Sequence, residues 1–161
     1  MSHQLPAMQP LNLPSCALRT QQRDGQTYIY DFLRRRHVRL TPEEWVRQHF
    51  THFLVHHKHY PAALLANEVT VDVCGVARRC DSVLYHPKGG RPRVIVEYKA
   101  PHVAITQAVF QQIYAYNSVL RADYLMVSNG LTHFCCRVDY RLMKVDFLQD
   151  IPRYEELGGQ S

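Results

Sequence analysis

The apolar positions change period several times along the chain, and each change marks an element. Residues 26–30 (QTYIY) alternate apolar and polar side chains behind the turn signal Asp24-Gly25, which predicts a short strand. The arginine-rich segment 34–39 (RRRHVR) leads into LTPEEWVRQHF, which carries a helix start. Thr41 suits the N-cap, Pro42 the first helical position, and Glu43 and Glu44 the positive end of the dipole. Thr41 and Glu44 also match a capping box. Trp45, Gln48/His49 and His52/Phe53 carry the helical period toward Tyr60-Pro61. Two strand-like runs, 66–74 and 77–86, meet at Gly75 as a hairpin; 87–92 (PKGGRP) is a turn, and 93–99 (RVIVEYK) a third strand. Over 103–121 the period is helical. Residues 124–130 (YLMVSNG) form a buried strand ending in Asn-Gly, and 132–140 (THFCCRVDY) returns from it. A short strand near 144–148 and a turn of helix at 151–157 complete the pattern.

This order predicts an α/β fold, a mixed central sheet flanked by helices, with no internal repeat. Residues 1–25 form an N-terminal extension rich in Pro and Gln, either disordered or lying extended across the body. The folded domain spans 26–157, and 158–161 is a C-terminal tail. Composition agrees: 161 residues, 46% hydrophobic and 20% charged, bury a core without disulfides. The five cysteines contain no CxxC pair, and adjacent Cys135 and Cys136 point to opposite faces of a strand. Reduced thiols, no secretory leader pattern and no apolar stretch of membrane-spanning length lead to the expectation of a cytoplasmic protein with no membrane partner. The net charge of +5 permits a polyanionic partner without requiring one. His49, His52, His56, His57 and His59 crowd one helix, but no carboxylate or cysteine completes a zinc set, so a wet helix face is expected.

The charged end of the third strand changes the picture. In RVIVEYKAP the alternation puts Glu97 and Lys99 side by side and Tyr98 on the other face. Asp81 sits in the preceding strand, so pairing of the two strands brings both carboxylates together. Acids at that separation repel, and a divalent cation between them resolves the repulsion. All-oxygen ligation favours Mg2+, with Mn2+ as the substitute. A lysine beside them suits metal-assisted phosphodiester hydrolysis. Taken alone, Glu97 and Lys99 would be an ordinary ion pair at a strand end. Downstream, Gln112 and Tyr116 lie one helical turn apart, on a face shared with Val109 and Val119 that is expected to pack onto the sheet.

Asp81, Glu97-Tyr98-Lys99 and Gln112…Tyr116 resemble the PD-(D/E)xK nuclease pattern with its RecB-type Q-x-x-x-Y extension. YDFLRRRHVRLTPEEWVRQHF, RRCDSVLY, VIVEYKAP, ITQAVFQQIYAYN and YLMVSNGLTHFCC resemble, in this order, the N-terminal nuclease domain of type I restriction enzyme R subunits. The likeness runs from about residue 28 to 154. It implies a restriction-endonuclease-like fold and Mg2+-dependent DNA cleavage. Asp81 and Glu97 would be metal ligands, Lys99 the catalytic lysine, and Gln112 and Tyr116 a supporting pair. Glu44, or else Glu43, would be the acid supplied by the first helix, although the capping box accounts for Glu44 without a metal. Cys80 stands where the pattern has Pro. No Walker GxxxxGK[ST] occurs, so ATP is not expected as a partner. Arg34, Arg35, Arg36, Arg39, Arg78 and Arg79 flank the acids and are candidate phosphate contacts or a solvated face. Other protein subunits are further candidate partners. A non-catalytic module with the same fold, binding nucleic acid or protein, is the alternative.

Overall fold

The computed structural model describes residues 8–158. Strands β1 (Thr20–Arg23), β2 (Gln26–Asp31) and β3 (Arg36–Arg39) form a small antiparallel sheet. Helix α1 (Pro42–His57) follows, then strands β4 (Leu65–Val73), β5 (Val76–Tyr85) and β6 (Pro92–Tyr98). Helix α2 (Gln107–Ser118) leads to β7 (Tyr124–Ser128), β8 (His133–Asp139) and β9 (Lys144–Leu148). The larger sheet has the order β4-β5-β6-β7-β8-β9. Its one parallel pair is β6–β7, and α2 is the crossover that such a pair requires.

Each face of this sheet carries one helix. Val94, Val96 and Tyr98 turn to one side, where Phe50 and Leu54 of α1 meet them; Ile95, Leu125 and Val127 turn to the other, against Ile113 of α2. Cys135 and Cys136 divide between the two faces, as their adjacency in a strand requires. All five cysteines are free thiols. Thr41 caps α1 by accepting from the Glu44 amide at 3.0 Å, but the Glu44 carboxylate does not return the bond; it goes to arginines instead. The β4–β5 hairpin turns on Cys74-Gly75, both at positive φ, the geometry of a tight two-residue turn.

Two expectations need correction, and one open alternative is resolved. Residues 34–39 are not a plain lead-in, because Arg36–Arg39 pairs with β2 as a third strand. Helix α2 starts at Gln107, capped by Thr106, instead of at 103. The N-terminal extension, from Met8 onward, takes the extended alternative: Asn12 N–H donates to the Gly130 carbonyl, and Leu11 and Leu13 pack on the α1-side core. Residues 1–7 and most of the tail lie outside the described residues. Gly130, at φ +85°, leaves room for this docking, since a Cβ there would stand 2.7 Å from Leu11.

Candidate active site

The site lies where β5 and β6 stop pairing. Ser82↔Val96, Val83↔Ile95 and Leu84↔Val94 form a regular ladder, and the next rung would be Asp81 and Glu97. There the ladder opens. The Tyr98 amide donates to the Asp81 carboxylate at 2.8 Å instead of to a backbone carbonyl. On its other edge β6 stays paired, with Glu97 opposite Val127 and the Lys99 amide on the Ser128 carbonyl at 2.9 Å. One edge of the strand is therefore fixed while the other is free to hold side chains.

Asp81 and Glu97 converge in that opening, close enough for a hydrogen bond between their carboxyl groups. Asn117 of α2 donates to Glu97 Oε1 at 3.3 Å. Burial, reinforced by the Asp81 charge, pushes the Glu97 carboxyl up to about 9, and the Lys99 ammonium pulls only weakly against it. Tyr98 turns the opposite way, as alternation requires, and its hydroxyl shares a hydrogen bond with Ser82 at 2.9 Å. The structure brings the Asp81 and Glu97 carboxyl groups together, and Lys99 follows two residues after Glu97 on the same strand end.

A charged network approaches the same point from α1. Arg47, 5% exposed, donates to both oxygens of Glu44, to Glu68 on β4, and across 3.5 Å to Asp81. Arg34 joins Glu44 to Asp31, and Arg79 pairs with Glu68. Glu44 thus comes to the site through Arg47, with both its oxygens engaged by guanidinium groups. Glu43, the other candidate acid, is exposed. Among the phosphate-contact candidates, Arg34 is committed internally and Arg79 to Glu68, whereas Arg35, Arg36 and Arg39 are exposed.

The inward face of α2 is not the expected one. Ile113 and Asn117 are buried, Gln112 and Tyr116 are exposed, and so is Val119, which lies beyond the last turn. With the helix starting at Gln107, the buried stripe runs through Val109, Ile113 and Asn117, one position away from Gln112 and Tyr116. Tyr116 still meets the rim of the site: the Arg78 guanidinium lies 4.7 Å over its ring and Arg78 Nε donates to its carbonyl at 3.3 Å. Asn117, Arg47 and Glu68 are the residues that sequence reasoning missed. For Asn117 the available signal was its place four residues after Ile113; for Glu68 there was none.

A family model described as the N terminus of the type I restriction enzyme R protein matches residues 42–152. The chain belongs to this family. The match opens at the first residue of α1 and takes in both helices and the whole six-stranded sheet, so every residue at the β5–β6 opening falls within the R-protein N-terminal family region. The three-stranded sheet, with Asp31 and Arg34, falls before it. No curated protein and no solved structure matches the chain. Among the described residues no helix is long and apolar enough to cross a membrane.

Proposed function

We propose that this chain is a metal-dependent nuclease that hydrolyses DNA phosphodiester bonds. One observation carries the reading: two acids from neighbouring strands meet where the ladder opens, with a lysine two residues on; among the described residues no ion pair reaches Glu97, and Asp81 has only the 3.5 Å contact from Arg47. A half-buried acid facing an acid is an incomplete arrangement, and a cation completes it.

The donor set suits magnesium or manganese. Two carboxylates supply hard oxygen ligands, and among the described residues no group of three or more His, Cys, Asp and Glu gathers to cage an ion. Magnesium is ordinarily held in this way, by one or two carboxylates with water and substrate phosphate filling the rest. Bound between Asp81 and Glu97, such an ion would supply Lewis-acid polarisation of the scissile phosphate. The chain's own groups do the remainder. The Tyr98 amide and Asn117 orient the two acids. Lys99 places its ammonium against the phosphate, where it stabilises negative charge developing during in-line displacement and holds a proton for the departing oxygen. Exposed Arg35, Arg36 and Arg39, with Arg78 at the rim, suit sequence-independent contacts to the DNA backbone. The family is the N terminus of a type I restriction enzyme R protein, and other subunits of such an enzyme are the partners this reading suggests.

The test is incubation of the purified chain with supercoiled plasmid and with single-stranded DNA, in Mg2+ or Mn2+. Nicking or linearisation is expected for the wild type and its loss for Asp81→Asn and for Lys99→Met. Activity surviving both substitutions would overturn the assignment. A wild type that binds DNA in a salt-sensitive manner without cutting it would favour the binding-module alternative.

A further inference from the structure

We infer that Arg47 is a positioning residue for the cation site, holding the Asp81 carboxylate in the β5–β6 opening with Glu68 as its anchor. The inference rests on the nuclease reading and adds to it a group outside the acid–lysine set.

The first argument is the backbone. Glu68 is a non-glycine residue at φ +53° inside a strand, a strained conformation that persists only where the surroundings impose it. It occupies the rung opposite Asp81, between the pairs Asn67↔Ser82 and Val69↔Cys80. Ordinary strands put residues two apart on one face, yet here they part. Asn67 and Ser82 bond to each other, and Ser82 to Tyr98 on the α1 side. Val69 and Cys80 belong to the α2-side core. The pleat therefore changes phase at Glu68 and Asp81. This turn of the strand brings the Asp81 side chain off the sheet face and into the opening.

The second argument is the side chains. Arg47 Nη2 reaches both Glu68 and Asp81 Oδ1, while the Tyr98 amide takes Asp81 Oδ2, so each oxygen of Asp81 is met from a different element. Arg47 is built in at some cost. Among the described residues its buried Nε has no partner, on a helix face where an apolar side chain would leave no such donor. A group serving only to fill α1 would not be an arginine with a fork spread over three acids.

The competing explanation is that Arg47 merely neutralises the acids around it, and the two explanations predict opposite signs. Removing a positive charge 3.5 Å from a ligand oxygen strengthens cation binding if charge is all that matters. Removing a positioning group weakens it. The decisive measurement is Mn2+ binding to the full chain by calorimetry for wild type, Arg47→Met and Arg47→Lys, with circular dichroism to verify folding. Arg47→Met is expected to raise the Mn2+ Kd about 10–100-fold, the usual consequence of losing a group that orients a metal ligand. Arg47→Lys, which keeps the charge but not the fork, is expected to fall between Arg47→Met and wild type. If Arg47→Met does not fold, Arg47→Lys still decides, because neutralisation alone predicts wild-type affinity for it. In plasmid cleavage both variants should lose kcat with little change in KM. Variants binding Mn2+ as tightly as wild type, or more tightly, would overturn the assignment of Arg47 and leave the nuclease reading standing. A wild type that binds no Mn2+ would remove the cation-site reading itself, and this inference with it.

Discussion

Two acids in this molecule, Asp31, fully buried, and Glu97, half-buried, meet opposite fates. Asp31, at the end of β2, is fully buried and accepts from the amides of Leu33 and Arg34, from Arg34 Nε and from Asn67. Burial alone would push its carboxyl up; the hydrogen bonds from Asn67 and Arg34, with the Arg34 charge, outweigh that and hold it below the usual range. Glu97 receives one amide and faces another acid, and is pushed up to about 9. Burial raises both carboxyls, and what separates them is the partners each one meets. An acid met by four donors is finished as a structural element. An acid met by an acid is waiting for something the chain does not provide. Arg34, Glu44 and Arg47 run between the two, so the finished cluster buttresses the unfinished one.

The largest effect should come from breaking the finished cluster. Asp31→Ala leaves buried donors on Asn67 and Arg34 without their acceptor and should cost about 3–5 kcal/mol of stability, as loss of one partner from a buried pair generally does. Chemical denaturation, with the shift in midpoint taken at constant slope, measures it. Glu97→Gln should cost nothing, or raise the midpoint at neutral pH, because an amide sits beside Asp81 without the proton that the raised carboxyl takes up on folding. A cost for Glu97→Gln as large as that for Asp31→Ala would erase the distinction.

How much of this was legible in the sequence follows from what each feature depends on. Asp81, Glu97 and Lys99 could be read because strand period and turn length are local properties, and they place the three residues before any tertiary contact is known. The division of Cys135 and Cys136 between faces was readable for the same reason. The inward face of α2 was not, because it depends on where the helix begins. An apolar run from 103 suggested an early start, Thr106 set a later one, and Asn117 came inward in place of Tyr116. Arg34 read as a candidate for phosphate because nothing local reveals that Asp31 and Glu44 will enclose it. Glu68 was invisible altogether, since a left-handed backbone at a non-glycine residue is imposed by its neighbours and leaves no mark in composition. Strand β3 was missed because RRRHVR shows no apolar alternation; it is held by pairing to β2 on a solvated sheet.

The next effect in size concerns chemistry alone. Lys99→Met should lower plasmid cleavage by roughly 10²–10³-fold, the usual loss when one group stabilising transition-state charge is removed. Its melting temperature should stay near the wild-type value, because the lysine side chain is only half-buried. A variant that keeps its rate would place the essential cation elsewhere, with Arg78 at the rim as the next candidate.

Acid should then separate the clusters more gently than substitution does. Asp31 is held below its ordinary range in the folded chain, so below about pH 4 the unfolded chain takes up a proton that the folded chain refuses. The stability supplied by the Asp31 charge is complete above that pH and is lost as pH falls through the folded value. Melting curves from pH 6 to 2 should show the decline in wild type and a shallower one in Asp31→Asn. The effect is smaller than that of Asp31→Ala, because protonation removes the charge and leaves the group in place.

The smallest effect distinguishes the two arginines that share Glu68. Arg79 pairs with Glu68 from the open side, its side chain 72% exposed, while Arg47 pairs with it from the buried side at 7%. An exposed pair works in water and salt, so Arg79→Ala should change stability by less than about 1 kcal/mol, and by still less at high ionic strength. Because Arg47 alone continues on to Asp81, Arg79→Ala should also leave Mn2+ affinity near wild type. Measured beside Arg47→Met, it tests whether the link from Glu68 to the acids runs through the interior. Equal losses of Mn2+ binding from the two substitutions would show that Glu68 needs both of its partners to hold its strained backbone, and that the buried fork has no privileged part.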